Sequence, residues 1–395
     1  MGLTSTSFEV VMIVLTVLCM VATIVLWPRA ARKSVLAVLG RIGMMVVSQL
    51  LIVGTILTAA NSYFGFYSSW GDLLGTDTGG AKIVNYSKGA GVDGNGDATG
   101  PGHAVASAAE TRDLTVTGSQ SVNAPGSQDP AKAGRIENVT IAGPRSGISS
   151  PAMVYLPPQY FQPQFKNAKF PVIEVLTGYP GTAENLVTRL NYPGVELNAM
   201  RAGKMKPTIL LMMRPTVAPP RDTEGMNVPH GPQTATYFAQ DVPSVVSRSY
   251  RTGTNARSWG IIGDSTGGYT AAKLAMQYPK TFSSAVALSG YFKTPEDPTT
   301  GDLFGGSRRV KNENDLFWRL KHLPAPHIKL LVTTTKHGED DYATTMKFIK
   351  AVKAPMQISG MVLPSGGHSF NTWSRELPQA LPWLASNLDG STTGL

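Results

Sequence analysis

The sequence predicts an α/β domain, a mostly parallel sheet with helices on both faces, behind two transmembrane helices. Three observations carry that expectation. From Ile136 onward, short apolar segments rich in β-branched residues alternate with helical stretches. Two long uncharged runs precede Asp72. Charged residues make up 15% of the 395-residue chain, well under the roughly 25% of soluble domains.

The first uncharged run, Val10 to Trp27, holds 18 residues, close to the about 20 that a hydrocarbon core requires. The second goes from Ile42 to Gly71 and is most apolar between Ile42 and Ala60. These runs predict spans at about 10–27 and 42–60, within an anchor of residues 1–74. Arg29, Arg32, Lys33 and Arg41 lie between them with no acid. A cleaved signal would carry its positive charge before the apolar run, where only Glu9 stands. The positive-inside rule therefore places residues 28–41 in the cytoplasm and both chain ends outside. The expected location is the cell membrane, with the following domain extracytoplasmic.

Residues 75–135 change character, with nine glycines between Gly75 and Gly102. Such a composition buries little apolar surface, so this stretch is expected to be a flexible linker. Asp93, Asn95 and Asp97 imitate the start of a calcium loop, but Ala98 and Ala104 occupy positions that need Gly and Glu. The single cysteine, Cys19, removes disulfide frameworks and thiolate zinc sites. No metal and no cofactor are expected. The net charge of +9 comes without any basic aromatic motif, which argues against a nucleic-acid partner.

Residues 136–390 form the predicted α/β domain. IENVTI, PAMVYL, FPVIEVL, TILLMM, SWGIIG, SSAVAL, IKLLVTTT and MQISGMVL read as buried strands. AENLVTRLNY, TYFAQDVPSVVSRSY, GYTAAKLAMQY, YATTMKFIKAVK and TWSRELPQALPWLASNL read as helices between or after them.

The chemistry centres on Ser265. The strand SWGIIG runs into Gly263-Asp264-Ser265-Thr266-Gly267, and a helix follows at once. That is the setting a nucleophile elbow requires. A hydroxyl needs a neighbouring base, and among six histidines the best placed is His368, in PSGGHSFNTW between the last strand and the final helix. The order Ser…acid…His directs the acid to KHGEDDY, which offers Glu339, Asp340 and Asp341. The spacing His337-Gly338-x-x-Asp341 favours Asp341, with Glu339 close behind. An oxyanion hole needs two backbone N–H groups. Thr266, after the nucleophile, supplies one, and Tyr179 in the turn LTGYPGT is the natural second.

GDSTGGYTAAKLAMQYP, ALSGYF, LTGYPG and PSGGHSFNTW together resemble the family of hydrolases called Putative esterase. It contains esterase D-like enzymes and the actinobacterial mycolyltransferases. The likeness covers roughly residues 136–390. It implies an α/β-hydrolase fold, a Ser-His-acid triad, an acyl-enzyme intermediate, and ester or lipid acyl substrates with a sugar as acceptor in some members. In mycolyltransferases the acid is glutamate, which raises Glu339. A two-helix anchor departs from the cleaved signal of secreted members. The expected function is thus a membrane-anchored serine esterase or acyltransferase. The alternative is a non-catalytic envelope protein that binds lipid or glycan through a hydrolase-like domain.

Overall fold

The computed structural model describes residues 2–32, 34–64, 66–77, 79–87, 113–122, 128–339 and 341–390. These divide into two compact units. One comprises Met1–Gly79, Thr335–Asp340 and Leu363–Thr372; the other comprises Gly80–Thr334, Asp341–Val362 and Trp373–Leu395.

In the first unit, helix α1 (Thr6–Leu26) and helix α2 (Val35–Phe64) lie side by side. At 1.5 Å per residue the 21 residues of α1 span about 31 Å, the thickness of a bilayer core. Both helices are long and apolar enough to cross a membrane. Most of their apolar side chains are exposed, Ile24 at 72% and Leu36 at 82%. Water is a poor solvent for such a surface.

Several polar contacts run between the two helices. Thr16 Oγ1 is 2.8 Å from Thr55 Oγ1 and donates to the Leu51 carbonyl at 3.1 Å. Thr55 donates to the Met12 carbonyl, and Thr23 Oγ1 is 3.1 Å from Ser48 Oγ. In hydrocarbon, bonds of this kind hold helices together at roughly 1 kcal/mol each. A short helix, α3 (Trp70–Leu73), follows and is capped by Ser69.

The sheet has ten strands among the described residues, in the order β1-β10-β9-β8-β7-β5-β6-β4-β3-β2. They are β1 (Ile83–Asn85), β2 (Leu114–Ser121), β3 (Arg135–Ala142), β4 (Ser149–Leu156) and β5 (Val172–Leu176). Then come β6 (Ile209–Met213), β7 (Trp259–Asp264), β8 (Ser284–Leu288), β9 (Lys329–Thr335) and β10 (Gln357–Leu363). Strands β6, β5, β7, β8 and β9 pair in parallel. β4, β3, β2 and β1 join antiparallel at the two ends. The parallel strands β5 to β8 are buried along their whole length, as a sheet covered on both faces must be.

All eight predicted strands are present, and the fold is the expected one. Two further strands fall inside the stretch predicted to be a linker. The β-branched run Leu114–Thr117 makes β2, which pairs with β3, and Ile83–Asn85 makes β1, which pairs with β10. Edge strands can be this polar because one neighbour satisfies half their backbone. The calcium-like Asp93, Asn95 and Asp97 lie outside the described residues.

Candidate active site

In the second unit, β7 passes directly into the helix Thr266–Gln277, and Ser265 at the junction has φ 54° and ψ −120°. An L-residue resists this backbone by about 1–3 kcal/mol. Surrounding contacts hold it there. The Ser265 N–H donates to the Leu288 carbonyl at 3.0 Å, and its carbonyl accepts from the Tyr269 N–H. Two glycines make the bend possible. A Cβ on Gly263 would lie 2.3 Å from the Gly267 carbonyl carbon, and one on Gly267 would lie 2.2 Å from the Leu176 carbonyl oxygen.

The turn after β5 packs against this elbow. A Cβ on Gly178 would come 2.9 Å from Ser265 Cβ. The Gly178 N–H donates to the buried Asp264 carboxylate at 2.8 Å. Asp264, the variable position before the serine, therefore pins the turn that carries Tyr179. Sequence reading did not single it out. Ser265, Thr266 and the Gly178–Tyr179 turn are thus gathered in one place.

Beneath Thr266 lies a second feature that was not expected. Lys273, on the buried face of the helix one and two turns after Tyr269 and Thr266, is fully buried and donates to the Glu224 carbonyl. The Tyr291 hydroxyl is 2.5 Å from Glu224 Oε2 and 3.1 Å from Thr266 Oγ1. Tyr291 stacks on Tyr269 at 4.9 Å between ring centroids. Burial, then the nearby Asp222, pushes the Glu224 carboxyl up to about 8. Burial pushes the Lys273 ammonium down to about 7, against the pull of Glu224 and Asp222. Asp297 and Arg319 are the other charges acting on the pair. The helical spacing of Thr266, Tyr269 and Lys273 was the available signal for this cluster.

The two shifts have opposite consequences for stability. Between its ordinary value and about 8, folded Glu224 keeps a proton that the unfolded chain releases, so stability is lost as pH rises through that window. Between about 7 and its ordinary value, Lys273 has shed a proton that the unfolded chain keeps, so stability is regained as pH rises. Glu224→Gln should flatten the first slope and Lys273→Met the second, each by up to about 1.4 kcal/mol per pH unit. Melting curves of wild type and both variants from pH 5 to about 10 measure this. Parallel curves for all three would show that neither shift exists.

In the first unit, His368 and Glu339 are brought together. His368 Nδ1 lies 3.4 Å from Glu339 Oε1, an ion-pair separation, longer than a well-made hydrogen bond. The Glu339 side chain is 3% exposed and that of His368 35%. The spacing-based preference for Asp341 meets a different arrangement. Asp341, in the second unit, opens the helix Tyr342–Ala351 and accepts from Thr334 Oγ1 at 2.8 Å and Thr345 Oγ1 at 3.3 Å. Gly338 has φ +109°, which turns the chain between His337 and Glu339. Asp340 and His103 lie outside the described residues. His230, His322, His327 and His337 are exposed.

A model of the family described as "Putative esterase" matches residues 147–384. An uncharacterized protein of Corynebacterium glutamicum is 24% identical over 281 residues, covering 65% of this chain and 63% of the relative. The chain thus spans less than two thirds of the length of that curated relative. Among solved structures, a ferulic acid esterase superposes with a TM-score of 0.55 at 19% identity, over 65% of this chain and 99% of its own. An S-formylglutathione hydrolase from Agrobacterium tumefaciens gives 0.54 at 16% identity, over 68% and 100%. A fluorophosphonate-binding serine hydrolase of Staphylococcus aureus gives 0.51 at 19%, over 64% and 98%. At such identities the shared feature is the fold.

Proposed function

This chain belongs to the Putative esterase family, and on that premise we propose that it is a membrane-anchored serine esterase with Ser265 as nucleophile and His368 as base. The observation that carries the reading is the positive φ of Ser265 on the sharp turn between β7 and its helix. Strain of that kind persists where the exposed hydroxyl is needed.

In the proposed reaction His368 takes the Ser265 proton while Oγ attacks the ester carbonyl carbon. The N–H groups of Tyr179 and Thr266 hold the resulting oxyanion. The C–O bond to the alcohol then breaks, and His368 returns its proton to the leaving oxygen. Water, or a sugar hydroxyl, gives its proton to His368 as it attacks the acyl carbon, the bond from that carbon to Ser265 Oγ breaks, and His368 returns the proton to Oγ. Glu339 holds the imidazole and stabilises its cation. No cofactor enters this scheme.

The test is turnover of p-nitrophenyl esters of increasing chain length by the full chain in detergent, with and without a disaccharide acceptor. Release of p-nitrophenol with free acid assigns hydrolysis, and sugar ester in the products assigns transfer. Absence of any turnover across the panel would favour the non-catalytic reading.

The basic loop between the apolar helices supports a topology in which the hydrolase domain lies on the opposite, extracytoplasmic side. Protease added to intact spheroplasts should then cut within the glycine-rich residues 75–135 and spare the loop at 28–41. Cleavage at Arg29 or Arg32 with the 75–135 stretch protected would invert the topology.

A further inference from the structure

The loop that carries His368 is not held by its own sequence. Gly366 and Gly367 precede the histidine, and two successive glycines leave the backbone with many accessible conformations. Both glycines are nevertheless buried, so something must fix them. Part of the restraint comes from the loop after β9. The Gly366 N–H donates to the His337 carbonyl at 3.0 Å, and the Gly366 carbonyl accepts from Thr335 Oγ1 at 2.8 Å.

The rest comes from the segment just after α2. Asp72, in the short helix α3, is 1% exposed. Its Oδ2 accepts from the Gly367 N–H at 2.8 Å, across a sequence separation of 295 residues. The same oxygen accepts from the Ser68 N–H at 2.8 Å and from Ser68 Oγ at 3.2 Å. The Asp72 carbonyl accepts from Asn371 Nδ2 at 2.7 Å, three residues beyond His368. One residue therefore grips the histidine loop on both sides of the imidazole. A buried carboxylate bonded to a backbone N–H is among the stronger and more directional of such contacts.

The same segment also touches the loop that carries Glu339. A Cβ on Gly338 would fall 2.1 Å from Ser68 Cβ and 2.4 Å from the Gly366 carbonyl oxygen. Gly338 is thus required by close approach as well as by its positive φ. Residues 68–72 lie against both chain segments whose side chains meet at the His368–Glu339 contact.

We propose that Asp72 is a positioning residue for the esterase reaction: it fixes the Gly366–Gly367–His368 loop so that the imidazole meets Glu339. The segment after the membrane-length helices then acts on the loop that carries the proposed base. The inference rests on the esterase reading for its catalytic consequence, and on the bonds of Asp72 for the loop itself.

The experiment compares full-length wild type with Asp72→Ala and Asp72→Asn, purified in detergent. Rates are expressed per Ser265 titrated with a fluorophosphonate, which excludes unfolded protein. Asp72→Ala should lower kcat for a p-nitrophenyl ester by more than about tenfold with KM within about twofold, because a misplaced base affects the chemical step. Asp72→Asn keeps an acceptor oxygen for the Gly367 N–H and should recover to within about threefold of wild type. Hydrogen exchange should show the peptide spanning 363–370 losing protection in Asp72→Ala.

A residue that only stabilised the fold would lower the melting temperature and leave kcat per titrated serine unchanged. That result overturns the proposal. If Asp72→Ala does not accumulate, Asn371→Ala breaks one of the two grips, with an expected fall of about two- to tenfold in kcat. Wild-type kcat in Asn371→Ala and in Asp72→Asn, with unaltered exchange at 363–370, would likewise overturn it. Failure of wild type to turn over any ester or to label at Ser265 would instead remove the esterase reading. Exchange at 363–370 would still decide whether Asp72 holds the loop.

Discussion

Replacing Ser265 with alanine should abolish covalent capture by a fluorophosphonate and lower ester turnover by at least about ten-thousand-fold. The deleted atom is the one that forms the acyl bond, so no neighbouring group can share its part. The fold should survive, because what holds the elbow is backbone and glycine: the Ser265 N–H to Leu288, the Tyr269 N–H to the Ser265 carbonyl, and the close packing of Gly263 and Gly267. Alanine at φ 54° carries the same strain as serine there. Intact-protein mass spectrometry after probe treatment, with circular dichroism of the same samples, reads both halves of the expectation. A probe adduct persisting in the folded variant would place the nucleophile elsewhere.

Much of the second unit was legible because its elements are locally self-consistent. The eight central strands are apolar, β-branched and bounded by turns, and each of them forms. The elbow was legible because its glycines answer a steric demand that a single motif records. Long-range contacts leave no such trace. Asp264 is only the unspecified letter of a five-residue motif until its carboxylate is seen on the Gly178 N–H. Asp72 looks like one more solvated acid in WGDLLG, and its burial depends on a loop 295 residues away. Lys273 sits in the helix Thr266–Gln277 as an ordinary charged residue of good helix propensity, and only the helical period hints that it points inward. Edge strands β1 and β2 were hidden by composition, since glycine and polar residues dominate the stretch that contains them.

The choice of acid shows the same limit and can be settled by two substitutions. Both candidates lie in one loop within three residues, so composition and chain order cannot rank them, and the spacing after His337 points to Asp341. The geometry points the other way. Glu339 is buried with an oxygen 3.4 Å from His368 Nδ1. Asp341 accepts from Thr334 and Thr345 at the start of a helix. A carboxylate that backs the imidazole fixes its tautomer and stabilises the cation formed during acylation. Glu339→Gln keeps the shape and removes the charge, so kcat/KM should fall by more than about a hundredfold while Ser265 stays in place. Asp341→Asn retains an acceptor for Thr334 and should change the rate by less than about twofold, its cost falling on stability at about 1 kcal/mol or less. Second-order rates of p-nitrophenyl ester hydrolysis and melting midpoints for both variants give the ranking. A large rate loss in Asp341→Asn with Glu339→Gln near wild type would return the role to the residue that spacing favoured. If both variants kept wild-type rates, the carboxylate behind His368 would lie outside KHGEDDY, and the 3.4 Å contact would be without catalytic consequence.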